Sequence, residues 1–150
     1  RWKRVTGVQT CALPICSRFA AAGLTASVGT AVDGGAIVET PQTEPAAYVV
    51  FDGYEPAQEV GSGLVQQIEQ RWAVIVKQRL VSGLNLDDGA PAAADAAPVI
   101  DAVLEALCGW RPGTGFDQLR MAEGSGPAYS SGYAYYSLFF TTRTVVRGVP

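Results

Sequence analysis

The chain has 150 residues and no histidine, so few of its side chains could do chemistry. The absence removes His-centred triads, His-ligated zinc and imidazole general bases together. Carboxylates are then the main candidates. Asp52, Glu55 and Glu59 fall in "DGYEPAQE", and Asp52 or Glu55 could serve a small α+β enzyme or ligand-binding domain if it lay buried in a deep pocket. The sequence around Glu55 and Glu59 reads as a loop, and nothing in it sets the two across a cleft. Asp87 and Asp88 in "NLDDG" share only acids and a glycine with a calcium loop, so that segment reads as a solvated turn. Ser130-Ser131-Gly132 lacks the flanking pattern of a nucleophile elbow. Gly113-Thr114-Gly115 lacks the lysine and the strand-loop-helix setting of a phosphate loop. The expectation is no catalytic residue, no metal and no cofactor.

The charged residues point instead to contacts. In Leu64 to Leu80, the even positions Ile68, Trp72, Val74, Val76 and Leu80 are apolar, while Glu69, Arg71, Lys77 and Arg79 fall on odd positions. A period of two predicts a long strand with one face on a core and one charged face. Together with Arg143, the residues Glu69, Arg71, Lys77 and Arg79 form a candidate interface with another subunit or a partner. Equally open at this point is that the face is merely solvated. The aromatic cluster Tyr129, Tyr133, Tyr135, Tyr136, Phe139 and Phe140 could stack bases, yet it has no interleaved basic residue before Arg143. Core or subunit packing suits it better.

These residues need elements to hold them. "SRFAAAGL", with Gly23 next to last, reads as the last turns of a helix, and the turn-rich sequence after it allows a short strand at most. Ala46 to Phe51, apolar on both faces, predicts a central strand. The β-branched Val74-Ile75-Val76 favours strand over helix for Leu64 to Leu80. Asp95 is placed to cap a helix with Pro98 in its first turn, and Val99, Ile100, Val103, Leu104, Leu107 and Cys108 form its core stripe up to Gly109. On that spacing Cys108 points to the core. A strand around Gln118 to Ala122 and a last long strand, Tyr129 to Val146, bulged near Gly132, complete the chain. The fold class is α+β, a mostly antiparallel sheet of about four strands with helices packed on one face, in the order helix-strand-strand-helix-strand-strand.

One stretch fits none of this. Val5 to Ile15, in "VTGVQTCALPIC", resembles a common short-read sequencing adapter translated in frame, without a mismatch. Residues 1–16 are therefore expected to be a non-native, disordered segment, with no packing role for Arg1 to Ile15, and residues 17–150 a single domain with a truncated N-terminus. The lone methionine at Met121 fits a lost start. Without Arg1, Lys3 and Arg4, eight basic side chains face 14 acidic ones, a net charge of about −6. That balance argues against a surface for binding nucleic acid. Setting Cys11 and Cys16 aside leaves Cys108 alone, which excludes a native disulfide framework and suggests a reducing compartment. No apolar run reaches the roughly eighteen residues of a membrane span.

In sequence order, "TEPAAYVVF" (Thr43 to Phe51), "VQQIEQRWAVIVKQR" (Val65 to Arg79), "LEALCGWRP" (Leu104 to Pro112) and "YAYYSLFFTTRTVV" (Tyr133 to Val146) resemble the tail terminator proteins of long-tailed phages and prophages. The resemblance covers about Ala20 to Val146. It implies a non-enzymatic ring, a hexamer, that docks on the last tail-tube subunits, ends tube growth and presents a surface to the head-tail connector protein. It places the protein in the virion tail, assembled in the bacterial host cytoplasm. A head-tail connector or neck protein is the neighbouring reading. The family-like core motif residues are Tyr48, Trp72, Leu107, Gly109 and Trp110.

Overall fold

The computed structural model describes residues 12–24, 26–30, 37, 45–60, 64–80 and 90–148. Within them lie two helices, α1 (Ala12–Ala21) and α2 (Ala90–Leu107). They accompany six strands: β1 (Ser27–Thr30), β2 (Ala46–Val60), β3 (Val65–Arg79), β4 (Arg120–Ala122), β5 (Ala128–Ser130) and β6 (Tyr133–Arg147). The sheet runs β1-β2-β3-β6-β4, with β5 also on β6. It is mixed: β1 joins β2 in parallel and every other pairing is antiparallel. The expected four strands are there: β2 runs longer than foreseen and β3, β4 and β6 shorter, β1 is the short strand the turn-rich sequence allowed, and β5 is split off from the expected last strand. The α+β class and the predominance of antiparallel pairing stand.

β2, β3 and β6 are each 15 residues long, about 50 Å at the usual rise per residue. Where the helices cover them, alternation sorts their side chains into two clusters. Ala47, Val49, Trp72, Val74, Val76 and Phe140 pack with α1 and α2 on one face. Ala46, Tyr48, Val50, Ala73 and Tyr135 gather with Ile37 on the other. This is why Ala46 to Val50 is apolar throughout: the strand is buried on both faces. Beyond Phe51 the same strand continues through register shifts at Phe51/Gly53 and Pro56/Gln58. Glu55 and Glu59 therefore belong to a strand and not to a loop. Local sequence hid this, because Gly53 and Pro56 read as breakers, while pairing along the whole of β3 carries the strand past them.

α1 ends in a Schellman turn. Leu24 N–H donates to Phe19 C=O at 3.1 Å and Gly23 N–H to Ala20 C=O at 3.2 Å, with Gly23 at φ +71° as the left-handed position requires. Its start corrects an expectation. The helix begins at Ala12 and Ile15 is fully buried beside Phe19, so the segment expected to have no packing role supplies a core residue. The physical reason is spacing: Ile15 and Phe19 lie four apart on one helix face, and Pro14 sits in the first turn, where its missing N–H matters little. Residues 1–11, with the rest of that expectation, lie outside the described residues.

α2 starts at Ala90, upstream of the expected cap. Asp95 is an exposed residue inside the helix and Pro98 is interior too. The alanine run has enough helix propensity to initiate early. The bond Pro98 removes is the one to Ala94, also exposed, whose carbonyl solvent can satisfy. The helix stops at Gly109 as foreseen, with φ +75°. Cys108, however, is exposed, because Ala106 and Leu107 hold the core-facing positions of the last turn. The bulge foreseen near Gly132 is a hairpin instead. Ser130 pairs with Tyr133 across a two-residue loop in which Ser131 and Gly132 both have positive φ, 51° and 80°, as a type I′ turn demands.

Candidate functional site: the uncovered half of the sheet

Past Trp72 toward the start of β3, no helix lies over the strands among the described residues. The face that bears Ala73 and Tyr135 in the covered half turns polar here. Register sets Glu69 between Glu55 and Arg143, and Arg71 between Gly53 and Thr141. Arg143 Nε donates to Glu69 Oε2 at 2.9 Å, and that contact raises the guanidinium's pKa above its ordinary value. Arg71 Nε lies 2.9 Å from Asp52 Oδ2. The same guanidinium stacks 4.2 Å from the centre of the Phe139 ring and donates to the Glu123 carbonyl at 3.2 Å. The contact with Phe139 and the bond to Glu123 tie β3 to β6 and to the segment after β4.

Asp52, Gly53, Tyr54, Glu55, Glu69 and Arg71 border a groove of about 310 Å³ that is open to solvent. Asp52 is 43% exposed and ion-paired, and Glu55 is exposed. Neither is the buried carboxylate that a catalytic reading of this region requires. Among the described residues no group of His, Cys, Asp and Glu could hold a metal ion. None of their helices is long and apolar enough to cross a membrane.

The five candidate interface residues part company. Glu69, Arg71 and Arg143 come together in the two ion pairs above, and Arg79 is exposed at the end of β3. Lys77 is internal, 1% exposed. Its Nζ donates to the Ile37 carbonyl at 2.8 Å and lies 4.3 Å and 5.8 Å from the ring centres of Tyr133 and Tyr135. In this fold its ammonium is enclosed and offers nothing to a partner. Sequence reasoning counted it with the surface because it shares a strand face with Glu69 and Arg71. Ala73 and Ile75 between them were the signal that this half of the face is apolar.

The family-like motif residues are structural. Tyr48, Trp72 and Leu107 are buried. Trp72 meets Phe51 edge-on at 5.0 Å and donates from Nε1 to Gln70 Oε1 at 3.3 Å. Gly109 is exposed, so its role is the left-handed turn and not core packing. Half-buried Trp110 lies under the Arg18 guanidinium at 6.0 Å, while Arg18 Nε donates to the Ala106 carbonyl at 3.0 Å. Gly109 and Leu119, and Leu119 and Trp110, are joined by backbone bonds of 2.9 and 2.8 Å. These fold the 110–119 segment against the helix end. Tyr48, Tyr135 and Tyr136 have pKa values raised by burial.

Fold and surface together define a class: a single-sheet α+β subunit in which one half of the long sheet has no helix over it among the described residues. The family follows from the sequence as a whole. Residues 10–149 match the phage tail terminator protein family, and the chain belongs to it. It is a structural protein of a phage tail. No curated protein matches the chain. The family match begins inside the adapter-like stretch, upstream of the boundary expected at Ser17.

Proposed function

We propose that copies of this chain assemble into a ring, a hexamer, that caps the phage tail tube, ends its growth and offers the surface to which the head-tail connector joins. The role is structural and not catalytic, with assembly in the bacterial host cytoplasm. The observation that supports it is the family membership over residues 10–149. The structure adds a consistent surface: a sheet half with no helix over it among the described residues, fixed by internal ion pairs and open to other chains. A net acidic chain also suits a ring through which DNA must slide without sticking.

Size-exclusion chromatography with light scattering, on the chain alone and with tail-tube protein, tests the reading. A ring mass and a complex with tube ends are expected. A chain that stays monomeric and never caps tubes would sink it. Binding to connector protein with none to tubes would move the protein to the neck of the particle.

A further inference from the structure

A ring in which each copy meets the next head to tail needs two different surfaces, one on each side of the subunit. The uncovered half of the sheet ends in two such flanks. On one side, β1 reaches only Val49 of β2, so from Phe51 on β2 has no strand beside it among the described residues other than β3. On the other side, β4 pairs with Thr141, Phe140 and Phe139 of β6, and beyond it Phe116 bridges Thr144 and Asp117 N–H donates to the Arg143 carbonyl, so β4 and the 116–117 segment together form the outer margin.

The strands at the two flanks carry opposite charge. β2 holds Asp52, Glu55 and Glu59 and no basic residue, whereas β6 holds Arg143 and Arg147 and no acid, and β4 begins with Arg120. Asp117 and Glu123 stand on either side of β4. Arg71 already takes Asp52, and Glu69 takes Arg143. Glu55, Arg120 and Arg147 are exposed and have no ion pair among the described residues.

Register puts the docking residues of the two flanks within two residues of each other along the strands. Gly53, Arg71, Thr141 and Arg120 form a single row across the sheet, and Glu55, Glu69 and Arg143 another close to it. Residues in one row share a sheet face, so Glu55 and Arg120 project on the same side. Tyr54 is in the row of Gln70, and Met121 in the row of Phe140 and Trp72; both project on the opposite side. Tyr54 and Met121 are 61% and 55% exposed. Each flank therefore presents one free charge on one face and one exposed large apolar side chain on the other, with the charges complementary.

We infer that the Tyr54–Glu55 flank of one copy docks on the Arg120–Met121 flank of the next, with the partner a second copy of this chain. This rests on the ring reading above. The contact runs through side chains and not through a continuous backbone ladder: Pro56 and the two register shifts blunt the β2 edge, as native edge strands are blunted against open-ended pairing.

The test uses two charge reversals on opposite flanks, Glu55→Lys and Arg120→Glu, with circular dichroism to verify folding. By light scattering each variant alone should fall from the ring mass to the 15.7 kDa monomer. Mixing the two should restore the ring by alternating the copies. At one contact the native Glu55 of the Arg120→Glu copy meets the native Arg120 of the Glu55→Lys copy, and at the next the introduced lysine meets the introduced glutamate. A misfolded variant cannot give that rescue. Rings that persist in both variants overturn this contact while leaving the ring reading intact, and so does monomer formation without rescue on mixing. A wild-type chain that is monomeric even with tube protein overturns the ring and the contact together.

Discussion

β2, β3 and β6 run the length of the molecule, but their two halves live in different surroundings. In the covered half, from Ala46 to Val50 and Trp72 to Lys77, nearly every side chain is buried on one face or the other. In the uncovered half, Tyr54 to Gln58 are exposed without interruption and Val145 and Val146 are 48% and 37% exposed. The same strands thus serve two ends: one half holds the fold together, and the other is held up by it. Although Ile68, Gln70 and Thr142 are buried, the β2 segment from Tyr54 to Gln58 buries little and contributes little to folding, and its order comes from ladder bonds to β3. Its side chains are free to be selected for what they meet outside the subunit.

Mutations can break or sharpen this contrast. The largest effect belongs to Trp72→Ala, which empties a 1% exposed site in contact with Phe51. A loss of about 3–5 kcal/mol in unfolding free energy is expected from denaturant titration. A loss below about 1 kcal/mol would show that the covered half is not the stability core.

Lys77→Ala comes next. It removes an enclosed ammonium, its bond to the Ile37 carbonyl and its ring contacts. About 2 kcal/mol of stability should be lost. An unchanged unfolding midpoint would mean that the second face of the covered half does not depend on this group.

The buried tyrosines give a pH signature. Tyr48, Tyr135 and Tyr136 keep raised pKa values in the folded chain, so their burial favours the protonated form. Their contribution is fully present below the ordinary tyrosine value of about 10. It is lost as pH rises from there through the folded values, because the unfolded chain ionises first. Thermal melts taken from about pH 8 to about pH 11 should show stability falling above about pH 10, less steeply in Tyr135→Phe. Equal slopes for the two proteins would remove Tyr135 from the account.

The smallest effect belongs to the uncovered half. Glu69→Ala with Arg143→Ala deletes an exposed ion pair, and such pairs are weak and screened by salt. The denaturation midpoint should stay at the wild-type value within error. A clear fall would erase the distinction between a half that stabilises and a half that is displayed.

Local pattern was enough for much of this molecule. Period-two apolarity from Ile68 to Val76 fixed β3 and its helix-facing side. The stripe Val99, Ile100, Val103, Leu104 and Leu107 fixed the buried side of α2, and Gly23 and Gly109 marked the helix ends. These signals are local because each depends on residues within a few positions of one another. Only tertiary structure decided the rest. It carried β2 past Gly53 and Pro56 by pairing with β3, seated Ile15 in the core, split a long aromatic strand at Ser131-Gly132, and enclosed Lys77 while leaving Arg79 in solvent. It also brought Glu55 within two residues of the row of Arg120, across four strands. Register and burial depend on partners distant in sequence, so a residue's own neighbours in the chain cannot specify which charge is hidden and which is displayed.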